Sequence, residues 1–255
     1  MSGIFTGVGV GPGDPELMTL KAVRAVEACS VIAIPVSDST LEEPVYESAA
    51  NQEKQNASYL ERCVAYQIAA GAVDRIAEKD RIYLPMPMIK EKDRLKAIHD
   101  NDAAAVAELL DQEKNVVFLT LGDPTVYSTC MYVHKRLKRS GYLTRIVPGI
   151  PSFCAAAARM DIPLVENRQE LHVLPASYHI EESLDLPGTK VLMKAGRKMS
   201  EVKRLLTEKE LDAMMVENCG MENEKLYFGA QEIPEQAGYY SLLVVKEKQT
   251  GGRKR

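Results

Sequence analysis

Two Gly-Asp-Pro tripeptides, Gly13-Asp14-Pro15 and Gly122-Asp123-Pro124, each place a carboxylate directly behind an apolar run that reads as a strand. Each is followed by a segment that reads as a helix, so both carboxylates would stand where an open α/β sheet gathers its ligands, at the carboxyl ends of strands. Asp is a good N-cap and Pro a preferred first helical residue, and helix initiation alone explains part of the pattern. The carboxylate also excludes something. A bare helix N-terminus attracts phosphate, and a negative charge placed there opposes it. The run Gly7, Gly9, Gly11, Gly13 does not spell G-x-G-x-x-G, because position 12 is Pro and position 14 is Asp, and no G-x-x-x-x-G-K-[ST] loop occurs. What is left is glycine backbone that a ligand can approach closely, beside acceptors for hydroxyls, amines or a cation. Such a site suits a nucleoside or a sulfonium better than a pyrophosphate.

The scaffold for these groups is legible in the alternation of patterns. Residues 4–10 read as strand, 15–29 as helix, 31–35 as strand, 59–79 as helix, 82–88 as strand, 93–112 as amphipathic helix and 116–121 as a buried strand. A helix over 124–138 and a strand over 142–147 follow. Alternating strands and helices predict a largely parallel sheet. Residues 37–58 are polar and acidic and predict a surface insertion or mobile loop. Ser140 and Gly141 mark a stop, which places a domain boundary between 141 and 142. Beyond it, Ser152 can cap a helix over 153–160, and strands are expected at 171–174, 190–194, 213–217, 225–228 and 240–245, with a helix at 200–206. Strands so close together predict a mixed or antiparallel second sheet. The fold class is therefore α/β in two domains, 1–141 and 142–247, with a basic, disordered tail over 248–255.

Composition narrows the function. A chain of 255 residues with 45% hydrophobic content buries a full core, and a net charge of −4 argues against a nucleic-acid partner. No apolar run reaches membrane-spanning length and the N-terminus lacks a secretory signal, so the expectation is a cytoplasmic protein with no membrane partner. Five widely spaced cysteines read as reduced thiols. His99, His134, His172 and His179 are scattered, and no protein-bound metal is expected.

In this order the residues resemble the tetrapyrrole methylase family, the class III S-adenosylmethionine methyltransferases. The first motif is Val8-Gly9-Val10-Gly11-Pro12-Gly13-Asp14-Pro15-Glu16-Leu17-Met18-Thr19-Leu20-Lys21-Ala22. The second, Leu119-Thr120-Leu121-Gly122-Asp123-Pro124-Thr125-Val126-Tyr127-Ser128-Thr129, resembles the branch that methylates carbon 20 of precorrin-2 or its cobalt form. A third, spanning positions 147–159 with Ile162-Pro163-Leu164 after it, points the same way. Position 151 is Pro where many members carry Thr or Ser, which leaves Ser152 as the hydroxyl.

The resemblance implies two α/β domains with S-adenosylmethionine in the cleft between them, a small-molecule tetrapyrrole substrate and a homodimer. It implies cofactor contacts at Pro12, Leu121, Gly122, Asp123, Val126, Tyr127, Ser152 and Ala195. Methyl transfer from a sulfonium is an in-line displacement by an electron-rich carbon, so the protein chiefly aligns and desolvates. Alignment can lower the barrier by roughly 7–11 kcal/mol, against about 10²- to 10⁴-fold from a general base. No catalytic dyad is expected, although Asp123 or Tyr127, one helical turn apart, could assist loss of the proton. The substrate's carboxylates call for cations. Candidates are Lys90, Arg159, Arg168 and Lys194, with Arg197 and Lys198 the preferred pair, while Met86 and Met88 could offer the macrocycle an apolar wall. Alternatives within the fold class are methylation of another precorrin or of uroporphyrinogen III, or of RNA or a protein. A non-catalytic tetrapyrrole-binding protein is the alternative outside it.

Overall fold

The computed structural model describes residues 2–51, 56–175 and 180–247. The chain divides into two compact units, Met1–Pro151 and Ser152–Arg255. The tail expected over 248–255, and His179, lie outside the described residues.

In the first unit the elements run β1 (Phe5–Gly9), α1 (Leu20–Ala28), β2 (Val31–Val36), β3 (Val45–Glu47), α2 (Ala57–Arg62), α3 (Val64–Ala72), β4 (Asp80–Pro85), α4 (Lys92–Asp111), β5 (Val116–Thr120), α5 (Cys130–Arg139) and β6 (Thr144–Val147). They form a six-stranded sheet in the order β3-β4-β2-β5-β1-β6. Every pair is parallel except β3 with β4. The uninterrupted apolar runs follow from burial on both faces. Ile32, Ile34, Val117 and Leu119 pack with residues of α1 and α3, while Val31, Ala33, Val116 and Phe118 pack with those of α4 and α5.

The second unit holds α6 (Ser152–Arg159), β7 (Leu171–Pro175), α7 (Ile180–Leu184), β8 (Thr189–Met193), α8 (Met199–Glu208), β9 (Asp212–Glu217), β10 (Lys225–Phe228) and β11 (Ser241–Lys246). Its five-stranded sheet has the order β10-β9-β11-β8-β7, with only β7 and β8 parallel, and α7 and α8 cover one face. The sheet is mixed, as the close spacing of strands predicted; the short helix α7 was not anticipated.

Several expectations are corrected. The strand β6, expected to open the second domain, pairs with β1 in the first sheet, and the first unit runs on to Pro151. The helix expected over 59–79 is broken, because Cys63 is extended and Arg75 left-handed. The first helix begins as a 3₁₀ turn, Pro15–Leu17, and restarts at Leu20 behind the cap of Thr19. Residues 37–58 are not simply a surface loop. They contain β3, whose Glu47 is buried, accepts hydrogen bonds from Tyr83 and Asn56, and pairs with buried Arg81.

A second buried carboxylate is less well served. Asp102 on α4 is fully buried, with Oδ2 3.6 Å from His99 Nδ1, and neither oxygen has a hydrogen-bond partner among the described residues. His99 in turn stacks on Tyr132. Burial pushes the Asp102 carboxyl above its ordinary range, outweighing the neighbouring His99 ring that pulls it down. A raised folded-state value means that ionisation opposes folding above the ordinary carboxylate range, and that this penalty fades as pH falls back towards it. Asp102→Asn, which removes the charge and keeps the shape, is therefore expected to raise the urea midpoint at pH 7.5. The gain should shrink steadily in the same titration repeated towards pH 4. A constant difference would assign the effect to packing instead.

Candidate functional site

Because β4, β2, β5, β1 and β6 are parallel, their carboxyl ends share one edge of the first sheet. Three adjacent strand ends there are in backbone contact. Beyond β1 the Gly11 carbonyl accepts from Gly122 N–H at 2.7 Å, and Gly11 N–H donates back to Gly122 at 3.3 Å. A Cβ on Gly9 would lie 2.5 Å from the Gly122 oxygen and 2.6 Å from the Gly149 nitrogen. The close approach that these glycines allow is thus between segments of the chain itself.

Asp123 locks this junction. Its Oδ2 accepts from the backbone N–H of Gly149 at 3.0 Å, and its Oδ1 accepts from Thr125 N–H at 2.7 Å and from the Thr125 hydroxyl. The carboxylate ties the loop after β5 to the loop after β6, and it is buried. The expected helix over 124–138 starts only at Cys130, because Asp123 closes a side-chain turn on Thr125 rather than capping a helix. Asp14 behaves as the sequence suggests, with Oδ1 accepting from Glu16 N–H at 2.9 Å at the start of a 3₁₀ turn. Ser128 fastens the far end of the second loop, sharing a hydrogen bond with Thr120 Oγ1 at 2.7 Å and accepting from Cys130 N–H. Tyr127 lies between the two fastenings. It is not one helical turn beyond Asp123; it has a left-handed φ of 49° and a half-exposed ring.

The structure brings Pro12, Leu121, Gly122, Asp123, Val126, Tyr127 and Met88 to this one edge, on the segments that follow β1, β5 and β4. Met88 is exposed, whereas Met86 is part of the core and not a wall for any ligand. Ser152, Ala195, Arg197 and Lys198 belong to the second unit. Ser152 opens α6, and Ala195 is fully buried in the second unit's core, so only its backbone could meet a ligand. Lys198 Nζ lies 3.5 Å from Glu201, and Arg159 is committed to Glu224, which weakens both as free cations. The side chain of Arg197 lies outside the described residues. Sequence reasoning missed Thr125, Ser128 and Gly149 as the groups that hold the loop. The Asp-x-Thr spacing signals the side-chain turn, but nothing local signals Gly149.

Thiolate chemistry is disfavoured, since burial pushes Cys130 up to about 12 and Cys29 and Cys219 up to about 11. No group of three or more His, Cys, Asp or Glu able to hold a metal occurs among the described residues, nor does a helix long and apolar enough to cross a membrane. If Asp123 is above all a clamp, Asp123→Ala should cost about 1.5–3 kcal/mol in urea unfolding, the worth of hydrogen bonds to a charged group. An unchanged midpoint with lost turnover would instead make it a proton acceptor.

Residues 5–233 match the family model described as Tetrapyrrole (Corrin/Porphyrin) Methylases. The chain is 33% identical to a probable cobalt-precorrin-2 C(20)-methyltransferase of Methanocaldococcus jannaschii, over 94% of each protein. It is 27% identical to the cobalt-precorrin-2 C(20)-methyltransferase of Salmonella typhimurium, over 97% of this chain and 98% of that one. Among solved structures, a uroporphyrin-III C-methyl transferase from Thermus thermophilus complexed with S-adenyl homocysteine superposes with a TM-score of 0.65 at 20% identity, over 96% of this chain and 98% of that one.

Proposed function

The chain belongs to the tetrapyrrole methylase family, and from that premise we propose that it transfers a methyl group from S-adenosylmethionine to carbon 20 of precorrin-2 or cobalt-precorrin-2 in cobalamin biosynthesis. Full-length similarity to relatives named for that reaction carries the proposal. The residues at the carboxyl edge of the first sheet fit a nucleoside sulfonium: they offer backbone, apolar Leu121 and Val126 and an aromatic ring, with a buried carboxylate where a phosphate cradle would need donors. S-adenosylmethionine supplies an electrophilic methyl group on sulfur.

The chain's own contribution is positional. The loop 121–128 is fastened at Asp123 and Ser128, which lets it hold a ligand without reorganising, and alignment of that kind is where most of the rate enhancement lies. Carbon 20 gains the methyl as the sulfur–carbon bond breaks, and the proton on that carbon then leaves. Of the two residues proposed to assist this loss, Tyr127 presents an exposed ring and Asp123 is committed to the loops. Cobalt, where present, enters within the substrate macrocycle. The proposal extends to a cytoplasmic homodimer, on the family resemblance.

The test is mass spectrometry of reactions with S-adenosylmethionine and either precorrin-2 or its cobalt form, with NMR of the ¹³C-methyl product. A methyl on carbon 20 is the expected result, and the faster substrate assigns the pathway branch. A methyl elsewhere would redirect the assignment to another precorrin or to uroporphyrinogen III. Tetrapyrrole binding without transfer would leave a binding protein.

A further inference from the structure

In the second unit Lys194, one of the cations the resemblance offers for the substrate's carboxylates, is paired with an aromatic ring. β8 ends at Met193, and Lys194 immediately turns the chain with a left-handed φ of 60°. Its Nζ stands 5.9 Å from the centroid of the Tyr239 ring, within cation–π reach. Tyr239 is 48% exposed and meets Tyr240 edge to face, with 5.2 Å between ring centroids. The segment bearing these rings is held from three sides. Gly238 N–H donates to Glu217 Oε1 at 2.6 Å, and the Ser241 hydroxyl donates to the Gly238 carbonyl at 2.8 Å. A Cβ on Gly196 would lie 2.7 Å from the carbonyl oxygens of both Ala237 and Gly238, so this loop is packed on the turn that follows Lys194.

Lys194 is exposed and forms no ion pair among the described residues, unlike Lys198 and Arg159. An ammonium left unpaired on a strained turn, over a ring whose position is set by backbone packing, is a prepared receptor for an anion attached to something flat.

We propose that Lys194 and Tyr239 bind a peripheral carboxylate of the tetrapyrrole, the ammonium taking the carboxylate and the phenol ring lying against the pyrrole that carries it. This deepens the tetrapyrrole assignment and rests on it. The pair determines substrate affinity and leaves the methyl donor to other residues. A carboxylate is also present on S-adenosylmethionine, and the experiment separates the two sources.

Lys194→Met, Lys194→Arg and Tyr239→Leu are compared with the unmodified chain in three measurements: KM and kcat with cobalt-precorrin-2, equilibrium binding of uroporphyrin III as a polycarboxylate probe, and calorimetric binding of S-adenosylhomocysteine. Lys194→Met is expected to raise KM and the uroporphyrin Kd by about 10- to 100-fold, the worth of one hydrogen bond to a charged group. Its kcat should change little, and S-adenosylhomocysteine affinity should not change. Lys194→Arg should restore most of the loss. Tyr239→Leu should weaken the porphyrin by several-fold, and added salt should weaken binding to the unmodified chain more than to Lys194→Met. Uroporphyrin affinity and KM unchanged in Lys194→Met would overturn the proposal. So would a loss confined to S-adenosylhomocysteine, or no uroporphyrin binding by the unmodified chain. Should that chain bind uroporphyrin but methylate neither precorrin form, the C20 assignment fails, and the porphyrin comparison still decides the role of Lys194.

Discussion

Gly149→Ala is expected to cost at least about 3 kcal/mol of folding stability and to abolish S-adenosylhomocysteine binding. The reason is space. A Cβ at this position would lie 2.1 Å from the Gly122 carbonyl oxygen and within 2.9 Å of the backbone of Gly9, which β1 holds in the sheet. Relief would require parting the loops after β5 and β6, which breaks the Asp123 clamp on the Gly149 N–H. Gly141→Ala is the matched control. Gly141 has a φ of 89° but nothing within 4 Å of the added atom, so the change should cost only the about 1–2 kcal/mol of left-handed strain. Urea unfolding of both variants, with calorimetry, separates the two causes. Equal losses would show that the strand ends are not as tightly joined as their geometry indicates.

Arg81→Met is the second large effect. Arg81 and Glu47 are both buried side chains, 3.3 Å apart, and Arg81 Nη2 also donates to the Ala77 carbonyl at 2.9 Å. Removing the guanidinium leaves Glu47 charged in the interior with Tyr83 and Asn56 as donors, and breaking a buried pair from one side typically costs about 3–5 kcal/mol. The Tyr83 phenol keeps its proton, because burial and then Glu47 itself push its loss upward, so it remains a donor to Glu47 but brings no compensating charge. The double variant Glu47→Leu with Arg81→Met should recover much of the loss, since an apolar pair of similar size avoids the desolvation cost. A double variant no more stable than the single one would show that the network, and not the stranded charge, holds β3. Amide exchange in β3 gives the local readout.

How much of this was legible beforehand depended on where each residue finds its partner. The strands β1, β2 and β5 were readable because burial on both faces leaves an unbroken apolar run, and α4 because its apolar residues recur at helical spacing. The strand β3 was not, since Val45–Glu47 is three residues long and its one deeply buried side chain is a carboxylate, paired with Arg81 34 positions away. Asp123 stood out in the sequence, but the helix expected after it starts late because its Oδ1 closes a turn on Thr125, a local signal, while its Oδ2 reaches Gly149, 26 positions further on, which no local pattern announces. The break at Cys63 had no Gly or Pro to announce it. Local pattern conveyed the elements, and the long-range polar partners that shape the loops escaped it.

The strand order has a consequence for the chain as it is being made. Phe5–Gly9 pairs with Val116–Thr120 on one side and Thr144–Val147 on the other, so this strand has no sheet partner until more than a hundred further residues exist. β2 and β4, by contrast, can pair with each other much earlier. At usual rates of translation the amino-terminal segment waits on the order of ten seconds, with Phe5 and Val8 still without a core. The closing of β1 between its two neighbours is therefore a late step, and it is the one that assembles the loop junction at Gly9, Gly122 and Gly149.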